Sequence, residues 1–280
     1  MANTKTATKT RMPVIAEPDE LARHLAEKNL LIVDLGKPEI YAQHHIPGAV
    51  PLNYTELVAQ RGPAKGMLPD DEHLTRLFSS IGLTPQMHVV AYDNEGGGRA
   101  ARLLWTLDAI GHPHFSLLNG GLQGWLEAGH PTSEEPAQPA PSQYRVSGPK
   151  QGITNVEYIL AHLKDPHVQI VDVRGPNEYS GVTQSAQRNG HIPGAINLEW
   201  TFARDNSLRL KPFAELKQIL AAHGIGPDKE VIVHCQTHHR SAHTYIVLKA
   251  LGYPDVKGYP GSWSEWGNRP DTPVEGVTGK

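Results

Sequence analysis

One feature constrains the fold of this chain above all others: the sequence repeats itself. Ile32-Val33-Asp34 recurs as Ile170-Val171-Asp172, and His45-Ile46-Pro47-Gly48-Ala49 recurs unchanged as His191-Ile192-Pro193-Gly194-Ala195. The order of the elements is kept as well. Val89-Val90-Ala91-Tyr92-Asp93 corresponds to Val231-Ile232-Val233-His234-Cys235, each an apolar run that ends on a polar or reactive residue. A loop closed by Arg99 or Arg240 follows, then an apolar-periodic segment ending at Gly111 or Gly252. Each half closes on a cluster of glycine and tryptophan, up to Trp125 and Trp266. Two copies of one fold are the economical reading, and 280 residues suffice for two units that each bury a core.

The halves are expected at residues 12–130 and 150–280. Residues 131–149, with five prolines, read as a semi-rigid linker. In the second half, Thr154-Asn155-Val156-Glu157 fits a capping box at a helix start. Gln169 to Val173 and Glu230 to His234 read as buried strands. Pro212 to His223 and Ser241 to Leu251 read as helices, each stopped by a glycine. This alternation predicts an α/β fold: two tandem domains, each a largely parallel sheet flanked by helices, with ligands at the carboxyl ends of the strands. Cys235 sits at such an end.

Composition narrows the function. With 26 basic and 29 acidic residues, the chain has no polybasic footprint for nucleic acid or membrane, and neither is expected as a partner. It contains one cysteine, which excludes an internal disulfide and any multi-cysteine metal site. The first eleven residues read as a frayed tail. Being Thr-rich and free of acids, they also fit a short transit sequence. No apolar run approaches the ~18 residues of a membrane span, so the expected compartment is the cytoplasm.

The chemistry concentrates in Val231 to Tyr245, VIVHCQTHHRSAHTY. A short loop of Gln236, Thr237, His238 and His239, followed by Arg240 and a helix start, would aim successive backbone N–H groups at Cys235 and lower its thiol pKa. A free thiol near 8.5 is only about 3% thiolate at pH 7, so such a nest determines reactivity. Arg240 and protonated His238 or His239 would push the same way. A lone cysteine at a strand end is often a small buried hydrophobe. Here the following positions are polar or basic and a helix starts at once, which favours a nucleophile. Two rival chemistries remain open on the residues. His234, Cys235, His238, His239 and His243 could ligate a metal, although no carboxylate ligand is evident and no metal is expected. A thiol and an arginine bracketing a loop also suit a cysteine phosphatase, but only four residues separate them here, which leaves little room for a phosphate. In the first half Asp93 stands where the thiol would be, and that half is expected to be catalytically inactive. Its loop Asn94 to Gly98 reads as a flexible cover over the active site.

These residues resemble the tandem-domain rhodaneses, sulfurtransferases that work through a cysteine persulfide. The resemblance spans nearly the whole chain: the Asp34 and Asp172 strand ends, both HIPGA motifs, the Asp93 and Cys235 asymmetry, and the closing GSWSEW. The CQTHHR loop is similar to a bacterial thiosulfate sulfurtransferase subgroup. The resemblance implies that Cys235 takes the outer sulfur of thiosulfate, releases sulfite, and hands the sulfur to cyanide, a thiol or a protein acceptor, with no cofactor. A carrier or sensor of persulfide serving a protein partner is the non-enzymatic alternative. The loop lacks the CG[ST]G pattern of mercaptopyruvate enzymes and has no basic residue directly after the cysteine. Many relatives carry an arginine near the position of Glu178, which could not hold an anionic donor. Arg188 is the expected substitute, beside Arg240 and the backbone of Gln236, Thr237, His238 and His239, while Arg174 is expected to pair with Asp172.

Overall fold

The computed structural model describes residues 12–276; the tail read as frayed or transit-like lies outside them. The first half runs β1 (Ile15–Ala16), α1 (Pro18–His24), β2 (Leu30–Asp34), α2 (Pro38–Tyr41), β3 (Val50–Pro51), a 3-10 turn (Tyr54–Leu57), β4 (Ala59–Arg61), β5 (Ala64–Met67), α3 (Asp71–Ser80), β6 (His88–Tyr92), α4 (Gly98–Ala109), β7 (Phe115–Leu118) and α5 (Gly121–Glu127). The second runs α6 (Val156–His162), β8 (Val168–Asp172), α7 (Pro176–Tyr179), β9 (Ile196–Asn197), a 3-10 turn (Trp200–Ala203), α8 (Phe213–Ala222), β10 (Glu230–His234), α9 (Arg240–Ala250), β11 (Val256–Gly258) and α10 (Ser262–Trp266).

Each half is a parallel sheet, in the orders β1-β7-β6-β2-β3 and β11-β10-β8-β9. The counterpart of β1 in the second half is reduced to a bridge between Ile153 and Gly258. That bridge moves the predicted helix cap. The Thr154 N–H is taken by the Gly258 carbonyl, so α6 starts one residue later and Asn155 caps it, accepting from the Tyr158 N–H at 2.9 Å. Strands and helices otherwise fall within a residue or so of expectation.

The repeated HIPGA motif has the same structural task in both halves. His45 stacks on Tyr41 and bonds its carbonyl, while the Tyr41 hydroxyl donates to the Ala49 carbonyl. His191, Tyr179 and Ala195 repeat every one of these contacts. The motif thereby closes the return into β3 or β9, each paired beside the strand that ends on Asp34 or Asp172.

The halves meet through α4 and α9. Helix α4 is buried all round, as a helix between two domains must be, and Tyr245 and Lys249 of α9 bond Asp108 of α4 at 2.5 and 2.7 Å. One apolar cluster including Leu104, Trp105, Tyr245 and Leu248 crosses the interface. The proline-rich connection is tied to the first half: Ser133 pairs with His45, and Tyr144 and Val146 are buried in the core. Those two apolar residues hold the segment against α3, where Tyr144 bonds Ser79. No described helix is long and apolar enough to cross a membrane.

Candidate active site

β10 is buried between β8 and β11, and its last residue, His234, hands the chain to Cys235. The loop from Cys235 to His239 then turns into α9. Two hydroxyls shape it. Ser262 Oγ accepts the N–H groups of Cys235 (3.3 Å) and His238 (3.2 Å) and donates to the Tyr259 carbonyl, pinning the start and middle of the loop with one oxygen. Ser241 Oγ donates to Cys235 Sγ at 3.4 Å and bonds His238 Nδ1 at 2.7 Å. The curl requires His238 to take a left-handed backbone, φ 52°, an uncommon conformation for a residue with a Cβ.

The thiol is 1% exposed. Burial pushes its pKa up, but Arg240, the Ser241 hydroxyl and the backbone N–H groups of Ser241 and Thr237 outweigh burial and hold it below the ordinary thiol value. The backbone donors at the sulfur are thus Thr237 and Ser241, while the His238 N–H, expected among them, goes to Ser262 Oγ. The two loop histidines do not add charge as expected. His238 is fully buried against the edge of Trp105, and burial, with Arg102 nearby, depresses its pKa far below the usual imidazole value. His239 is lowered by burial too, in contact with Tyr54 and Trp200. Both are neutral at pH 7, so the cation at the thiol is Arg240.

Arg240 is held by a residue the sequence reading had set aside. Its guanidinium forks onto Glu178, Nη1 to Oε2 at 2.6 Å and Nη2 to Oε1 at 2.9 Å, with both side chains partly exposed. Glu178 also accepts the Gly175 N–H, which anchors it at the start of α7. Burial favours the neutral guanidine, but the bonds to Glu178 and the negative charges of Cys235 and Glu178 push Arg240 the other way, so it is a permanent cation. The expected second cation, Arg188, is not brought to the thiol. Its two terminal nitrogens are committed to the carbonyls of Trp266 and Thr272 and to the Thr272 hydroxyl, fastening the 185–188 insertion to the C-terminal segment. The same insertion receives the Gln236 side chain, which donates to the Ser185 carbonyl at 2.8 Å. Arg174 does fork onto Asp172, at 2.6 to 3.0 Å, beneath the loop.

The imidazoles considered as metal ligands diverge. His234 lies 3.7 Å from Asp172, His238 faces Trp105, and His243 meets Trp200 edge-on with its pKa pushed down to about 4 by burial and Arg204. Among the described residues no group of three such ligands converges.

The first half packs over the loop. A Cβ on Gly66 of β5 would collide with the Thr237 carbonyl, and one on Gly98 would sit 2.7 Å from His239 Nε2. Glycine is needed at Gly66 because backbone meets backbone there, while Gly98 makes room for the His239 imidazole. The loop around Gly96 to Gly98 is thus a packed cover. Its Asp93 fills its own nest: Oδ1 accepts the N–H groups of Glu95 and Gly97, and Oδ2 those of Arg99 and Ala100, at 2.8 to 3.1 Å. The carboxylate of Asp93 itself occupies the nest.

A duplicated α/β fold with one buried, nest-held thiol at a strand-to-helix loop defines a cysteine-dependent, two-domain class of protein. Comparison with known proteins gives the family. The model of the rhodanese-like domain matches residues 17–128 and again 155–269. The chain is 45% identical over 264 residues to the thiosulfate sulfurtransferase of Pseudomonas aeruginosa, covering 94% of this chain and 97% of that one. It is 33% identical over 279 residues to the sulfur carrier protein TtuD of Thermus thermophilus, covering 93% and 96%. An anaerobic ergothioneine biosynthesis enzyme from Chlorobium limicola superposes with a TM-score of 0.84 over 95% of this chain and 71% of that one; at 23% identity this likeness concerns the fold. The chain belongs to the rhodanese-like domain family and carries two copies of its domain.

Proposed function

We propose that this protein is a thiosulfate sulfurtransferase whose catalytic half is residues 150–280, with residues 12–130 catalytically inactive and 131–149 joining them. The carrying observation is the single thiol, Cys235, held below its ordinary pKa by Arg240 and the loop N–H groups while buried. The thiolate attacks the outer sulfur of thiosulfate. A Cys–S bond forms, the donor's S–S bond breaks, and its electron pair leaves with sulfite, a weak base that needs no proton. The persulfide's terminal sulfur then carries its charge among the N–H groups of Thr237 and Ser241, which stabilise it as they stabilise the thiolate. Cyanide, or a thiol, attacks that sulfur, and Cys235 departs as the thiolate it was. The backbone N–H groups of Thr237 and Ser241 cradle the anion and Arg240 orients it. No step calls for a cofactor.

The relative named as a sulfur carrier supports a protein thiol as a further acceptor. That four rather than five residues lie between Cys235 and Arg240 argues against phosphoryl transfer. The cytoplasm is the proposed compartment. The test is to incubate the full chain with thiosulfate and weigh it: one added sulfur, lost on cyanide treatment and absent in Cys235→Ser, is expected. An adduct that survives that substitution, or none on the wild type, overturns the proposal. A stable adduct with negligible cyanide turnover would assign the carrier role instead.

A further inference from the structure

Arg102 lies in the middle of α4, in the half that carries no thiol, and it is fully buried. Among the described residues no carboxylate pairs with it. Its Nη1 donates to the His238 carbonyl at 3.3 Å, and its Nη2 donates to the Leu57 and Met67 carbonyls at 3.0 and 3.1 Å. Nε has no partner, and the guanidinium carbon sits 4.6 Å from the centre of the Trp105 ring. A buried cation without a counter-ion costs several kcal/mol, so its retention calls for an anion. Two groups nearby could supply a negative charge, Tyr54 and Cys235. Burial raises the Tyr54 pKa, which keeps the phenol neutral, whereas the thiol is lowered.

We propose that Arg102 is a positioning residue for sulfur transfer: the first half places its buried charge behind the active-site loop, where it stabilises the Cys235 thiolate and persulfide. This rests on the sulfur-transfer reading given above. Two effects combine. The positive charge acts directly on the anion. The bond to the His238 carbonyl also fixes the peptide at the one left-handed residue of the loop, and because that peptide is planar and trans, the N–H of His239 is turned away from Arg102. The inactive half is thereby an electrostatic component of the site as well as a cover. The other titratable and charged groups around the thiol are Arg240 with Glu178, the neutral His234, His238 and His239, Tyr54, Arg99, and the exposed Lys65 of β5. None of them supplies a buried, acid-free cation.

The test is the pH dependence of Cys235 alkylation by iodoacetamide in the full chain, for wild type, Arg102→Met, Arg102→Gln and Arg102→Lys. Loss of the charge is expected to raise the midpoint by about half a unit to one unit, since a cation that meets the loop at the His238 carbonyl acts more weakly than a contact ion pair. Arg102→Gln keeps an N–H donor for the carbonyls and removes the charge, so it reads the same shift if the methionine variant does not fold. Arg102→Lys is expected to keep the midpoint while losing turnover, because one ammonium nitrogen cannot take both the Nη1 place at the His238 carbonyl and the Nη2 place at the Leu57 and Met67 carbonyls. A folded Met or Gln variant with the wild-type midpoint would make Arg102 a structural clasp and overturn the proposal. A wild type that gains no sulfur from thiosulfate would instead overturn the reading of the reaction, while leaving this measurement valid.

Discussion

Ser241→Ala isolates one hydrogen bond to sulfur. In the folded protein Ser241 Oγ stands 3.4 Å from Cys235 Sγ and donates to it. A hydrogen bond to an ionised partner contributes about 1.5–3 kcal/mol. Sulfur is a diffuse acceptor and the neutral thiol retains part of the contact, so the lower end applies. About 1.4 kcal/mol of differential stabilisation equals one pKa unit. Alanine leaves Arg240 and the backbone N–H groups of Thr237 and Ser241 in place, so the thiol midpoint should rise by about one unit and no further. Alkylation rate against pH reads that midpoint directly, and the pH profile of thiosulfate turnover at low substrate should move with it. Because the neutral thiol is the unreactive form, the loss is greatest at low pH and vanishes well above the new midpoint. The substitution also strips the partner from buried His238 Nδ1, so about 1–3 kcal/mol of stability should be lost as well. Identical midpoints in the two proteins would refute the assignment of the hydroxyl to the anion, whatever happens to turnover.

Three further outcomes follow from the same geometry. Glu178→Gln removes a negative charge beside a site for a dianion; at an effective dielectric of about 40 and roughly 8 Å, each donor charge is relieved of about 1 kcal/mol. For the two charges together the KM for thiosulfate should therefore fall about thirtyfold, and a rise would mean that fixing Arg240 outweighs neutralising it. Asp93→Ala leaves four loop N–H groups without their acceptor, which should cost about 3–5 kcal/mol and lower the unfolding temperature by several degrees, with Cys235 alkylation in the surviving folded protein as the control. Finally, a thiol whose folded pKa lies below its unfolded value binds fewer protons in the native state, so it contributes stability that is present above the unfolded pKa and is lost as pH falls through the folded one. Urea unfolding of wild type against Cys235→Ser across pH 5 to 9 should show the wild type gaining ground as pH rises; a constant difference would contradict the lowered thiol.

What could be read from the sequence was what is local or repeated. The HIPGA duplication located both sheets because its histidine and alanine bond a tyrosine no more than 16 positions before them, Tyr41 in one half and Tyr179 in the other. The nest was legible for the same reason, since strand, loop and helix start are contiguous from Val231 to Tyr245. What escaped notice depends on distant parts of the chain. Glu178 meets Arg240 across 62 positions and Ser262 reaches back 24 to His238. Arg102 crosses 136 positions from one half to the other. A carboxylate where an anion-binding arginine was looked for did signal something: it marks an arginine elsewhere that needs holding. The loop histidines misled because imidazole charge is set by burial, and nothing in HHR says that His238 lies beneath Trp105.

The duplicated loops show which parts of the site follow from the fold and which from the chemistry. Both present N–H groups at matching positions: Glu95 and Ala100 to Asp93, Thr237 and Ser241 to Cys235. That much belongs to the shared strand-to-helix turn and would hold any anion. The first loop keeps a carboxylate that never leaves, and its arginine side chain is correspondingly disengaged, with Arg99 bonded to Glu95 of its own loop at 3.0 Å. The place of Glu178 is taken there by Ile40. A thiolate, by contrast, must be made against the cost of burial and remade after each transfer, so the second loop adds three things that the first lacks: the Ser241 hydroxyl, where the first has Ala100; an arginine whose charge lowers the thiol pKa; and a carboxylate that fixes that arginine without consuming it. The additions are confined to the loop that holds a group able to lose and regain its charge, which is why they are better explained by catalysis than by the stability of the fold.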